Sequence, residues 1–311
     1  MNITNPVFLQ VVQDIKSLHI QGAQKIAKEA VRSFSIVAEE SFERYHHMSD
    51  YARVLKQAKD LLCTARPTEP LLRNSLESIY HNTDIVRFAT MNKLHEHVMR
   101  QVAIVQTHFD HVHIRLPSIG ELKIKSGMCV FTHCHSSSVV DILIQAHHKK
   151  KSISVVNTET RPNYQGRITA EQLSKAGIGV EHYIDSAMRL AIKKADIVLL
   201  GADAIDYAGN VINKIGSELV CESAKRFGVP VYICTDSWKY DSQTDKRHEE
   251  EIEIRSANEI WDSAPKGVKI CNYAFEKIDA KLITGIICEK GIFTPQEFVR
   301  NVREDNPLFN K

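Results

Sequence analysis

Several features that would each assign a function outright are missing from this sequence. No run of 18 apolar residues occurs in its 311 positions, so no segment is long enough to cross a bilayer as a helix. The seven cysteines (Cys63, Cys129, Cys134, Cys221, Cys234, Cys271 and Cys288) are scattered, odd in number and never spaced as CxxC. That argues against a zinc ribbon or a disulfide framework and suits a reducing cytoplasm. There is no Walker A pattern, and no GxGxxG follows the first candidate strand, so no nucleotide cofactor is indicated. The amino-terminal stretch carries no basic segment and reaches a charge at Asp14, which reads as no signal peptide. An excess of one charge is also missing. Forty Lys and Arg against 38 Asp and Glu leave +2, with no basic aromatic platform, which speaks against a nucleic-acid binder.

What is present is an ordinary globular composition, 43% hydrophobic and 25% charged, enough to fill a sizeable core without metal or disulfide. The first third has helical periodicity: Phe8, Val11, Val12, Ile15 and Leu18, then, past Gly22, Ile26, Ala27, Ala30, Val31 and Phe34. Met48 to Ala65 reads as a further helix stopped at Arg66-Pro67, with Thr68 as cap of the next and Pro70 in its first turn. Val86 to about Val112 reads as a long helix. At Leu116-Pro117 the texture changes. Short apolar runs at 129–132, 153–156, 180–184, 197–200, 229–234 and 282–287 read as strands. Helical stretches at 137–148, 169–176, 186–194 and 215–227 fall between the earlier ones. Strands alternating with such helices predict parallel βαβ units. The fold class is α/β: a helical N-terminal domain over residues 1–120 and a Rossmann-like, mostly parallel sheet domain over 121–311, joined near 115–127. The charge-rich run from Asp241 to Glu253 reads as a solvated loop.

Ligands of an open parallel sheet bind beyond the carboxyl ends of its strands, and those ends are polar throughout. They read His133-Cys134-His135-Ser136-Ser137, then Thr158 to Gly166, Asp185-Ser186, Gly201-Ala202-Asp203 and Thr235 to Lys239. Cys134 lies between a strand and a helix start, where helix amides and flanking histidines, if protonated, lower a thiol's pKa. It reads either as a thiolate nucleophile or base, or as a buried inert cysteine. Three consecutive residues make an awkward tetrahedral set, so His133, Cys134 and His135 do not read as a metal site. Asp203 follows a Gly-Ala pair on an apolar strand, a setting that can keep a carboxyl protonated as a general acid; the competing reading is a loop aspartate or helix cap. Asp185 is a weaker candidate of the same kind, and Asp206 reads as structural. Arg161, Gln165, Asn213-Lys214 (read as opening a helix), Lys239 and Arg66 together suit a small, multiply anionic ligand.

The segments THCHSSSVV, TETRPNYQGRITAEQLSKAGI, IDSA, GADAI and GNVINKIGS stand in this order along the chain. Together they resemble the family of ribose-1,5-bisphosphate isomerases, methylthioribose-1-phosphate isomerases and regulatory subunits of a translation-initiation guanine-nucleotide exchange factor. His-Cys-His-Ser at 133–136 and Trp238-Lys239-Tyr240 resemble the ribose-bisphosphate branch most. The methylthioribose branch usually reads CNAG and GADR where this chain has Cys134-His135-Ser136-Ser137 and Ala204. The regulatory subunits generally lack the cysteine–aspartate pair. The resemblance implies an aldose–ketose isomerase with Cys134 as base and Asp203 as acid. It implies substrate contacts from Gly22, Ala23, Arg66, His135, Ser136, Ser137, Asn213, Lys214 and Lys239, with Arg161 and Gln165 shaping the site. Gln21 and Gln24 stand where those isomerases resemble RGAG, which removes a cation from that turn. The implied setting is cytoplasmic nucleoside-monophosphate salvage by a homodimer or hexamer. It has no cofactor or metal, AMP as a possible activator, and neither membrane nor nucleic acid as partner. The rival readings are the methylthioribose enzyme and a non-catalytic nucleotide-sensing subunit.

Overall fold

A computed structural model describes residues 3–81, 83–248, 252–306 and 309. The chain divides into two units, Met1–His111 and Val112–Lys311. The first is helical: α1 (Pro6–Lys16), α2 (Ala23–Arg44), α3 (Met48–Ala65), α4 (Pro70–Tyr80) and the beginning of α5 (Met91–Gly120). Asn5 starts α1 by accepting the Phe8 N–H at 2.9 Å, with Pro6 supplying a preset φ in the first turn. Helix α2 packs against α1, α3 and α4. It buries Ile26, Ala30, Phe34, Val37 and Ala38 along one stripe, as a 3.6-residue period requires. The cap of α4 is Glu69, not Thr68, and its side chain makes no capping bond; Pro70 sits in the first turn as expected. Helix α5 does not stop near Val112 but continues through Pro117 to Gly120. Leu116 is buried, and Ile119 packs against the cluster that includes Val112, Ile142 and Leu143. This burial offsets the single backbone bond that a proline removes.

In the second unit the described strands form two sheets. They are β1 (Cys129–Thr132), β2 (Ser154–Thr158), β3 (Gly179–Tyr183), β4 (Ile197–Leu200), β5 (Ala204–Ile205), β6 (Val211–Lys214), β7 (Val231–Cys234), β8 (Phe275–Ile278), β9 (Gly285–Cys288) and β10 (Gly291–Phe293). The larger sheet has the order β10-β9-β7-β4-β1-β2-β3. All its pairings are parallel except β10 on β9. Its helices are α6 (Ser137–His148), α7 (Gln165–Lys175), α8 (Met188–Ile192), α9 (Ser217–Phe227) and α10 (Pro295–Asp305). Along β4, Ile197 and Leu199 join one buried cluster, with α6 and Leu173 of α7, while Val198 and Leu200 join another, with α8, α9 and α10. Strand alternation thus builds two cores, one on each face of the sheet.

This order is that of the doubly wound fold. From β1 the chain steps outward to β2 and β3, then returns to β4 on the other side of β1 and proceeds to β7 and β9. The switch point lies between β1 and β4, where such folds open a crevice at the strands' carboxyl ends. The second sheet, β5-β6-β8, is small and antiparallel, and the sequence pattern did not reveal it.

Candidate active site

Cys134 follows β1 and Asp203 follows β4, so the two predicted catalytic residues flank the switch point. Gly201 brings their loops together. A Cβ there would lie 2.8 Å from both Cβ and Oγ of Ser136, which caps α6 through its side chain at the Val139 N–H. The Asp203 N–H donates to the carbonyl of Ile212 at 2.8 Å, just ahead of the β5–β6 pairing.

Cys134 is buried with φ +67, a left-handed conformation uncommon for a residue with a side chain. Thr160 (φ +63) and Tyr164 (φ +55) share that conformation. Surrounding hydrogen bonds hold the turn, as such strain requires. The Cys134 N–H donates to Thr160 Oγ1 at 2.9 Å, and the Thr169 hydroxyl donates to the Cys134 carbonyl at 2.9 Å. Asp185 grips the adjoining loop with both carboxylate oxygens, accepting from the N–H of Thr160 (2.8 Å) and of Arg161 (2.7 Å). It therefore positions the loop and does not cap its own 3-10 turn at 185–187, which starts from Ile184.

The histidines on either side of Cys134 are not the cations anticipated. His133 Nε2 donates to the Ile215 carbonyl at 2.9 Å, which leaves Nδ1 to accept from the Thr158 hydroxyl at 2.5 Å. Burial lowers its pKa, so the ring is neutral at pH 7. His135 Nδ1 donates to Thr169 Oγ1 at 3.0 Å, and burial lowers its pKa too. Gly216, at φ +98, admits His133; a Cβ there would come within 2.9 Å of Nε2. The positive charge comes from elsewhere. Burial pushes the Cys134 thiol up to about 11, while the cations of Lys214 and Arg255 draw it down and the carboxylate of Asp203 pushes it up. The expected depression by a helix terminus is therefore outweighed by desolvation.

Lys214 and Asn213 do not open a helix. They end β6, and α9 begins at Ser217. Both are buried. Asn213 Nδ2 donates to Ser217 Oγ at 2.9 Å, and the Lys214 ammonium lies 5.2 Å from the centre of the Phe275 ring. Burial lowers the Lys214 pKa, against the raising effect of Cys134 and Asp203. Lys239, also buried, donates to the Ala202 carbonyl at 2.6 Å, next to Asp203. Arg161 is exposed and donates to the Tyr164 hydroxyl at 2.6 Å. Gln165 starts α7 with its Oε1 buried and lacking a hydrogen-bond partner. Ser137 is exposed at the first position of α6. Asp206 accepts from the N–H of Ala208 and of Asn210, the structural turn expected of it.

Gly22, Ala23 and Arg66 belong to the helical unit. Gly22 is the N-cap of α2 at φ +87 with no side-chain capping bond, and Ala23 is buried. Arg66 ends α3 with Nε 3.7 Å from Glu69 Oε1. Sequence reasoning missed Thr158, Thr160 and Thr169, which fasten the Cys134 turn, and Arg255. The latter lies just past the charged run, of which residues 249–251 lie outside the described residues and Asp241 is buried, not solvated. The alternation Ile252-Glu253-Ile254-Arg255 was the available signal.

A thiol and a carboxyl at the switch point of a doubly wound sheet, with buried lysines in the same unit, form a site suited to small anionic ligands. The chain belongs to the initiation factor 2 subunit family, whose model matches residues 19–295. It is 32% identical to the ribose 1,5-bisphosphate isomerase of Thermococcus kodakarensis, over 96% of this chain and 94% of that one. It is 29% identical to the methylthioribose-1-phosphate isomerase of Thermosipho africanus, over 93% and 87%. Among solved structures, translation initiation factor eIF-2B of Pyrococcus horikoshii superposes with a TM-score of 0.82 at 25% identity, covering 96% of this chain and all of that one.

Proposed function

We propose that this chain converts α-D-ribose 1,5-bisphosphate to D-ribulose 1,5-bisphosphate. The observation that carries the reading is the placement of Cys134 and Asp203 beyond β1 and β4, flanking the switch point, with Lys214 acting on both. The full-length likeness to named ribose 1,5-bisphosphate isomerases supports the substrate.

A sugar phosphorylated at its anomeric oxygen cannot open to a free aldehyde. The Cys134 thiolate removes the C2 proton as Asp203 protonates the ring oxygen. The C1–ring-oxygen bond breaks and a C1=C2 enol phosphate forms. The thiol then returns its proton to C1, and the C2 hydroxyl proton goes back to Asp203, leaving the 2-ketose. Proton transfer alone balances this scheme, so it calls on no redox cofactor. Lys214 and Lys239 hold phosphate, and the orphaned Gln165 Oε1 accepts from a sugar hydroxyl. Self-association, a place in nucleoside-monophosphate salvage and activation by AMP are part of the same proposal.

The test is turnover of α-D-ribose 1,5-bisphosphate, with and without AMP, followed through a coupled carboxylation of the product. Turnover by the wild-type protein and its loss in Cys134→Ser are expected. Turnover of methylthioribose 1-phosphate alone would overturn the substrate, and none with either sugar would overturn the activity.

A further inference from the structure

Arg255 has the features of a ligand-binding side chain that the catalytic scheme leaves unused. Its side chain is 8% exposed, and its Nη1 is buried with no hydrogen-bond partner. Burying a guanidinium N–H without an acceptor is costly, and the rest of the residue is firmly placed. The backbone N–H donates to the Asn272 carbonyl at 2.9 Å, and Nε lies 3.1 Å from Glu253 Oε1. The neighbouring Ile254 pairs with Tyr273 in an isolated antiparallel bridge. The carbonyl thus fixes the main chain and the carboxylate the side chain, while a donor is kept in reserve.

That donor shares its surroundings with Lys214. The Arg255 guanidinium carbon is 5.9 Å from the centre of the Phe275 ring, and the Lys214 ammonium is 5.2 Å from the same centre. Phe275 is the register partner of Lys214 across β6 and β8. Each cation acts electrostatically on the other and both act on Cys134. Two buried like charges around one ring repel, and a bound dianion between them removes that repulsion while satisfying Nη1. A phosphoryl group has that charge and the oxygen spacing a guanidinium fork accepts.

We propose that Arg255 is a substrate-contacting residue, the second cation of a phosphoryl subsite that it forms with Lys214 around the Phe275 ring. The assignment of one sugar phosphate to it rests on the isomerase reading; the anion subsite itself does not.

The experiment separates the two. Thermal stabilisation by inorganic phosphate, titrated at constant ionic strength against chloride, is measured for the wild type, R255Q and R255K. KM for ribose 1,5-bisphosphate is measured in parallel. Saturable stabilisation of the wild type is expected, with R255Q needing at least about tenfold more phosphate and showing a KM raised by at least about tenfold. R255K, which keeps the charge and loses the fork, should fall about threefold short of the wild type in both, and it carries the test if R255Q does not fold. No phosphate stabilisation of the wild type, or phosphate midpoints and KM values unchanged in a folded variant, overturns the subsite. Phosphate stabilisation that depends on Arg255 in a protein without turnover supports the subsite and overturns the isomerase reading alone.

Discussion

The two sheets of the second unit divide the chemistry between them. The parallel sheet ends in the groups proposed to move protons, Cys134 after β1 and Asp203 after β4. The small antiparallel sheet supplies charge: Lys214 closes β6 and Phe275 opens β8 beneath it. Histidines beside the thiol are neutral, and burial is the largest cause that takes that thiol up to about 11 despite the cations near it. Lys239 follows β7 of the large sheet, but the cation that draws this thiol down most is Lys214 of the small sheet. The fixed lysine of the small sheet does so where a helix terminus was not enough.

The largest effect should come from the parallel sheet. Cys134→Ala and Asp203→Asn each remove one proton-transfer partner, and each should lower kcat by about a thousandfold, within the range of general acid–base contributions. A substrate panel and stopped-time product assay measure it. Loss in one variant and activity within threefold of wild type in the other would break the pairing of β1 and β4. Lys214→Met, on the small sheet, removes a buried charge-assisted contact and should raise KM by about tenfold to a hundredfold. Because Lys214 also draws the thiol pKa down, this variant should in addition shift the rising limb of the pH profile to higher pH.

That limb is the next prediction. While Asp203 keeps its proton, each pH unit below the thiol pKa raises the thiolate fraction tenfold, so kcat/KM should climb with a slope approaching one and level off once Asp203 ionises. Burial lowers the Lys214 pKa below that of an ordinary lysine, so the activity should fall again on the alkaline side as its cation is lost. A profile that falls steadily between pH 7 and 9 would mean that the Cys134 thiol is not the base.

The difference between the sheets also explains what could be read in the sequence. Strands β1, β4 and β7 are buried on both faces, so Val130-Phe131, Ile197 to Leu200 and Val231 to Cys234 appear as dense apolar runs, and their order follows from βαβ alternation. The family resemblance then pointed to Cys134 and Asp203. The small sheet has no such signal. Strand β5 is two residues long, β6 ends in a buried Asn and Lys that mimic a helix entrance, and β8 reads Phe-Glu-Lys-Ile. Strands β6 and β8 are held together by partners more than 60 positions apart, as in Asn213 against Glu276, and no local pattern encodes that pairing. The threonines of the Cys134 turn were illegible for the same reason. Thr158, Thr160 and Thr169 act through hydroxyl contacts that span 25 to 35 positions of sequence.

The smallest effect tests the platform of the small sheet. Phe275→Leu keeps apolar bulk beneath Lys214 and removes the ring face. A buried cation–aromatic contact contributes about 0.5–2 kcal/mol, which corresponds to about two- to thirtyfold in an equilibrium constant. The ring stabilises Lys214 in substrate-free and occupied protein alike, so most of that contribution cancels between the two states. KM should therefore rise only about twofold to fivefold, with kcat nearly unchanged, while thermal stability falls by a few degrees. A loss in KM as large as that of Lys214→Met would mean that the ring itself meets the substrate. In that case the small sheet would supply a contact surface as well as charge.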